Sequence, residues 1–228
     1  GGYAEYIKLP AKNFIKLPAD LDYKTNPAEI SVITDAIATP VKLLRRARIT
    51  PSDTVAVIGA GGGLGLHMVM AAHWAHARVI AIDVATDKLE ACRKAGAAEV
   101  IDASCTDFTS ALMDLSGAKG IDVVIDFISS TATLEAAAAA LGRGGRLVTL
   151  GGTGQIFQAS AMEMLAKELE ILGSRYASKQ DVIDSLDLVA RGEIQPVVTE
   201  TRRLEEAEAL HERLEKGLIT GRAALLMN

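Results

Sequence analysis

The stretch Val55-Ala56-Val57-Ile58-Gly59-Ala60-Gly61-Gly62-Gly63-Leu64-Gly65 combines residue types and spacing that point to a ligand. Short β-branched residues run into glycines, and helix formers resume after them, the pattern of a strand, a tight turn and a helix start. Amides left bare by glycine at the positive end of a helix suit the oxygens of a pyrophosphate. A strict Gly-x-Gly-x-x-Gly would need glycine at 59, 61 and 64, but position 64 is Leu; the register that fits is Ala60-x-Gly62-x-x-Gly65. Asp83 closes the apolar run Val79-Ile80-Ala81-Ile82-Asp83, about 20 positions beyond the last glycine. A carboxylate there accepts hydrogen bonds from ribose hydroxyls and repels a 2′-phosphate, so loop and acid together predict a dinucleotide site selective for NAD over NADP.

Other chemistries use similar residue patterns. S-adenosylmethionine-dependent methyltransferases also place a glycine loop after one strand and an acid after the next, and a nucleotide-binding module without catalysis would use the same device. The Tyr-x-x-x-Lys pair of short-chain dehydrogenases is absent, since Tyr176 and Lys179 lack that spacing. His67, His73 and His76 follow the glycine loop; the last two have a spacing that can bind metal, but a packed or solvated helix face accounts for all three. His211 has no partner nearby in sequence. Cys92 and Cys105 form neither a CxxC nor a Cys/His ligand spacing, which excludes a disulfide framework and predicts a reducing, cytoplasmic setting. The net charge of −5 gives no footprint for nucleic acid, and no apolar run approaches the roughly 20 residues of a membrane span. The sequence opens Gly1-Gly2-Tyr3 with no Met and no signal-like segment, so a preceding part of the native protein is expected.

The elements that must position these residues alternate. Buried-type strands are expected at 54–58, 78–83, 99–102, 121–126, 146–150 and 169–173, with helices at 64–77, 86–95, 108–115, 131–141, 161–167 and 179–191. Thr86 is expected to cap its helix with its hydroxyl, and Gly96 and Gly142 to end theirs in the left-handed conformation. The alternation predicts an α/β fold, a doubly wound parallel Rossmann sheet of about six strands. Residues 1–30 alternate weakly and suggest strand and loop. After Gln195-Pro196, a strand, a helix at 204–216 and a last strand at 223–227 suggest a tail that leaves the sheet and rejoins the first 30 residues. Trp74, the one tryptophan, is expected on the helix after the glycine loop, where bound nicotinamide would quench it.

With those residues in place, the sequence resembles the medium-chain, zinc-type alcohol dehydrogenases over nearly its whole length. Gly1-Gly2-Tyr3-Ala4-Glu5-Tyr6 is similar to the strand after that family's zinc-binding lobe, Asp35-Ala36-Ile37-Ala38-Thr39-Pro40 to the segment carrying its third catalytic-zinc ligand, and Gly221-Arg222-Ala223-Ala224-Leu225-Leu226 to its last strand. The resemblance implies residual strands of a truncated second, GroES-like domain at both ends of the Rossmann sheet. Its boundaries would be a remnant of the catalytic domain at 1–30, the NAD-binding domain at 31–195, and a return to the catalytic domain at 196–228. It further implies Asp35 as a zinc ligand in the complete enzyme, with the other ligands upstream; without them Asp35 is a lone carboxylate that could serve as a helix cap. The cofactor-binding residues it implies are Thr39 beside the nicotinamide, Gly61, Gly62, Gly63 and Leu64 at the pyrophosphate, Asp83 and Lys88 at the adenosine ribose, and Phe127, Leu150 and Gly151 over the riboses. Arg222 would pair with the pyrophosphate. The activity implied is NAD-dependent interconversion of an alcohol and an aldehyde or ketone by zinc-assisted hydride transfer, in a homodimer or homotetramer, with this chain inactive alone. Within the superfamily, the zinc-free quinone oxidoreductases and enoyl reductases are the alternative; Asp83 and Asp35 both count against them.

Overall fold

Alternation within the short apolar runs decides the architecture. Successive side chains of a strand point to opposite faces. In the computed structural model, which describes residues 2–105, 107–152 and 154–227, β1 (Thr54–Ile58) sends Val55 and Val57 into one core and Ala56 and Ile58 into the other. β2 (Arg78–Asp83) divides Val79 and Ala81 from Ile80 and Ile82 in the same way, and β4 (Ile121–Asp126) divides Val123 and Ile125 from Val124. Strands with two buried faces need helices on both sides. With β3 (Glu99–Asp102), β5 (Leu141–Thr149) and β6 (Glu170–Gly173), they form a parallel six-stranded sheet of order β3-β2-β1-β4-β5-β6.

One face is covered by α2 (Ala38–Arg46), α3 (Gly65–Trp74), α4 (Thr86–Lys94) and α8 (Lys179–Ala190), through Leu43, Leu66, Cys92 and Leu186. The other is covered by α5 (Phe108–Ser116) and α6 (Thr131–Ala140), through Leu112 and Leu134. This is the doubly wound Rossmann arrangement, whose strand order reverses between β1 and β4; ligands of such sheets bind beyond the carboxyl ends of the strands at that reversal. α1 (Pro27–Val32) runs through a π-helical turn, Ile33–Ile37, into α2. α7 (Ala161–Lys167) precedes β6 at the sheet edge. Beyond α8, β7 (Val198–Arg203) and β8 (Arg222–Leu226) form a separate parallel pair connected by α9 (Ala207–Glu215), and α1 packs against β8.

Several local expectations need correction. Residues 3–10 form no strand: a segment becomes one only when a neighbour takes its backbone groups, no described strand pairs with it, and Tyr6 is 89% exposed. Gly1 lies outside the described residues. Thr86 is the first helical residue rather than the cap, and its hydroxyl donates to Asp102 Oδ2 at 2.7 Å. Gly96 does have positive φ (104°), but Gly142 does not. Gly142 is the second residue of β5, which starts five residues earlier than the β-branched run suggests. A Cβ at Gly142 would strike the Lys119 carbonyl oxygen, so glycine is required there by close approach rather than by a turn. Asp35 is not a helix cap but sits within the π turn. Trp74 is on the helix after the glycine loop, as expected, but in its last turn, about 14 Å along the axis from Gly65, where its indole N–H donates to Glu193.

Candidate functional site

The glycine loop is fixed from below and open above. Gly59 turns the chain out of β1 with φ 76°, and the amides of Gly59 and Ala60 both donate to the Ile82 carbonyl at the end of β2, at 2.9 and 3.0 Å. Gly65 begins α3 so close to the loop that a Cβ would strike the Gly59 carbonyl oxygen and lie 2.7 Å from Ala60 Cα. A Cβ at Gly61 would stand 2.5 Å from Lys88 Cβ, and one at Gly63 would stand 2.5 Å from Arg222 Nε. Gly62 differs: its Cβ would meet only the Gly59 carbonyl oxygen, at 3.5 Å. No backbone or side-chain acceptor among the described residues takes the amides of Gly63, Leu64 or Gly65. Three free N–H groups at the head of a ten-residue helix are a ready cradle for phosphate oxygens.

On one side of the loop lies an apolar cleft of about 290 Å³. Ile58, Ile82, Val84, Phe108 and Ile128 line it, and Asp83 stands at its edge. The Asp83 carboxylate is oriented by two amides, Gly61 N donating to Oδ2 at 2.7 Å and Ala85 N to Oδ1 at 3.0 Å. Both bonds use one lone pair per oxygen and leave others for hydroxyl donors. Lys88, only 7% exposed, packs beside Asp83 against Gly61. Val84 and Phe108 were not anticipated from sequence, although the residue following an acid at a strand end is a place to look for a ring-stacking surface.

A second cleft, about 550 Å³ and more polar, lies across the loop, lined by Asp35, Thr39, Leu64, Leu150, Gly151 and Tyr176 among others. The π turn places Asp35 and Thr39 together: Thr39, 2% exposed, donates to Asp35 Oδ1 at 3.1 Å. Arg222, reaching across Gly63, forms an ion pair with the other Asp35 oxygen. Gly151 is held by the Ser129 hydroxyl, which accepts its amide at 3.0 Å, while the Asp126 carboxylate accepts the Ser129 amide at 2.8 Å. A Cβ at Gly151 would come within 2.6 Å of the Phe127 carbonyl oxygen. Phe127 thus supports this cleft from behind rather than lining either one.

The fit of the two groups implied by the sequence differs. The loop, the Asp83 carboxylate and the two clefts match the phosphates, ribose and rings of a dinucleotide. A tetrahedral catalytic zinc takes three protein ligands. Among the described residues no three His, Cys, Asp or Glu side chains come together, and both Asp35 oxygens already have partners. Among the described residues His73 and His76 belong to no group of three such side chains, and the His73 ring packs where a Gly96 Cβ would be.

His67 was expected as one more residue of a packed or solvated face, and the structure gives it a more specific place. It is 0% exposed. Its Nδ1 lies 2.7 Å from the Gly63 carbonyl oxygen, and its Nε2 accepts the Val197 amide at 2.9 Å. Burial pushes its pKa down to about 4; the Gly63 carbonyl opposes the shift, and the positive Arg222 adds to it. A polar ring inside the otherwise apolar run Leu66, Met68, Val69 is a visible signal, because buried polar groups need partners.

A model of the zinc-binding dehydrogenase family matches residues 63–191. An NAD-dependent alcohol dehydrogenase of Sulfurisphaera tokodaii is 33% identical over 228 residues, covering 99% of this chain and 64% of its own length. The solved alcohol dehydrogenase of Aeropyrum pernix superposes with a TM-score of 0.90 at 32% identity, over 99% of this chain and 65% of that one. The cobalt- and zinc-bound alcohol dehydrogenase of Pyrobaculum aerophilum does so with 0.84 at 27%, over 99% and 64%. The chain therefore spans about 64% of the length of the curated relative it matches.

Proposed function

Because this chain belongs to the zinc-binding dehydrogenase family, we propose that it holds NAD(H) for an enzyme that interconverts an alcohol and an aldehyde or ketone. The observation that carries this reading is the pair of unlike clefts on either side of a loop with three free amides. The adenine would enter the apolar cleft, its ribose hydroxyls donating to Asp83 beside Lys88. The pyrophosphate would lie over Gly61, Gly62, Gly63 and Leu64, with Arg222 swinging from Asp35 onto its oxygens. The nicotinamide would occupy the polar cleft among Thr39, Leu150 and Gly151, with Phe127 behind the riboses.

When bound, the nicotinamide would supply the acceptor for the hydride that leaves the carbinol carbon in oxidation, the hydroxyl proton being released. This chain's residues bind and orient the cofactor. The donors for a zinc ion are not assembled by the described residues, so no step is assigned to a metal here. Asp35 is the position at which the family resemblance puts one donor. The boundaries 1–30, 31–195 and 196–228 fit this division of labour: the middle segment carries both clefts apart from Arg222, which the tail supplies. A homodimer or homotetramer is supported by the open edge of β6 and by Met162 and Leu165 on α7, 71% and 74% exposed. A cytoplasmic setting is supported by Cys92, which is buried as a free thiol. No helix of the described residues is long and apolar enough to cross a membrane. The methyltransferase and the zinc-free reductase are not favoured by the relatives found.

Calorimetric titration of the 228-residue chain with NADH, NADPH and S-adenosylmethionine tests the proposal. Saturable NADH binding with weaker NADPH binding is expected; S-adenosylmethionine binding without NADH binding would replace it.

A further inference from the structure

We infer that His67 is a positioning residue for the dinucleotide, a strut that locks the glycine loop to the C-terminal strand pair and so holds Arg222 over the phosphate site. The inference rests on the dinucleotide reading above. The bonds form a closed circuit. The Val197 amide can only donate, so His67 Nε2 must offer its lone pair. The proton then sits on Nδ1 and is donated to the Gly63 carbonyl oxygen. Val197 in turn accepts the amide of Arg222 at 2.9 Å, and Gly221 donates to the Gly61 carbonyl oxygen at 3.1 Å. The guanidinium of Arg222 then lies across Gly63, where no Cβ could stand.

Two consequences follow from this circuit. The carbonyls of Gly61 and Gly63 are tied inward, to the tail and to His67, so the loop's free amides face outward. The tail that carries Arg222 is registered on the loop at two points, the Gly221–Gly61 bond and the His67 imidazole, although Val197 lies 130 positions from His67 in sequence. The neutral Nδ1–H form alone makes both bonds; an Nε2–H tautomer would put two donors face to face at Val197.

The test compares ligands that do and do not carry a pyrophosphate. In His67→Leu, binding of ADP and NADH to the 228-residue chain is expected to weaken about tenfold, while adenosine binding stays within about twofold. A merely structural role would weaken all three together. Adding Arg222→Leu to His67→Leu is expected to cost less than it does alone, because both changes remove the same contact. A folded His67→Leu chain that binds ADP as tightly as the unaltered chain would overturn the inference, as would equal loss for adenosine. Failure of the unaltered chain to bind ADP or NADH would instead defeat the dinucleotide reading itself. Should His67→Leu not fold, ¹⁵N NMR of the unaltered chain decides: the inference requires a protonated Nδ1 and an unprotonated Nε2 at pH 7, and the opposite tautomer overturns it.

Discussion

The two clefts flanking the glycine loop are built in different ways. The side proposed for adenosine is walled by strand ends of the sheet and by Phe108 and Ile128, and the one charged residue of its lining, Asp83, is already oriented by Gly61 and Ala85. The nicotinamide side depends on segments far apart in the chain: a π turn before β1, the ends of β5 and β6, and an arginine from β8. There Asp35 and Arg222 are spent on each other. A side organised by its own sheet should therefore bind its part of the ligand with little rearrangement, whereas the other must exchange an ion pair before it can take a phosphate. Affinity is expected to reside on the adenosine side, and adjustment on the nicotinamide side.

Changes to the shared support should produce the largest effect, because they remove both sides at once. Gly65→Ala puts a Cβ into the Gly59 carbonyl oxygen and is expected to destabilise the chain by about 3 kcal/mol or more, read from the midpoint of urea unfolding. His67 gives an effect of similar size with pH. Its folded pKa near 4 lies below the ordinary 6.5, so the unfolded chain binds the proton more readily between those values. Stability should thus fall as pH drops from about 6.5 to about 4 and level off below, by about 3 kcal/mol in all. His67→Leu should flatten that part of the stability profile.

Separating the two sides takes smaller changes. Asp83→Ala should weaken NADH by about 10- to 100-fold and erase the preference over NADPH, as measured by calorimetry. Adenosine should weaken nearly as much if its ribose meets Asp83. The smallest effect is expected for Asp35→Asn, below about threefold on NADH, since its pair with Arg222 is half-exposed, with Asp35 53% and Arg222 29% accessible. An Asp35→Asn effect larger than that of Asp83→Ala would reverse the comparison.

The sheet was legible because each strand is a short apolar run of β-branched residues between glycine-punctuated helices, and the pattern needs no long-range information. Asp83 and the loop were legible for the same reason: strand end, turn and helix start are neighbours in sequence. The nicotinamide side was less so. Asp35 and Arg222 are 187 positions apart and His67 and Val197 are 130 apart, so no local periodicity reports either contact. The π turn escaped because Ile33, Ala36 and Ile37 fit an ordinary apolar helix face. At 3–10, alternation suggested a strand, but alternation specifies a face to bury and cannot supply the neighbour that completes a ladder.

The most direct test of the account is a crystal structure of the 228-residue chain soaked with NADH. The adenine is expected against Val84 and Phe108, the ribose hydroxyls on Asp83, and the pyrophosphate on the amides of Gly63 to Gly65, with Arg222 released from Asp35. NADH bound elsewhere, or bound over the loop with the Asp35–Arg222 pair intact, would contradict it.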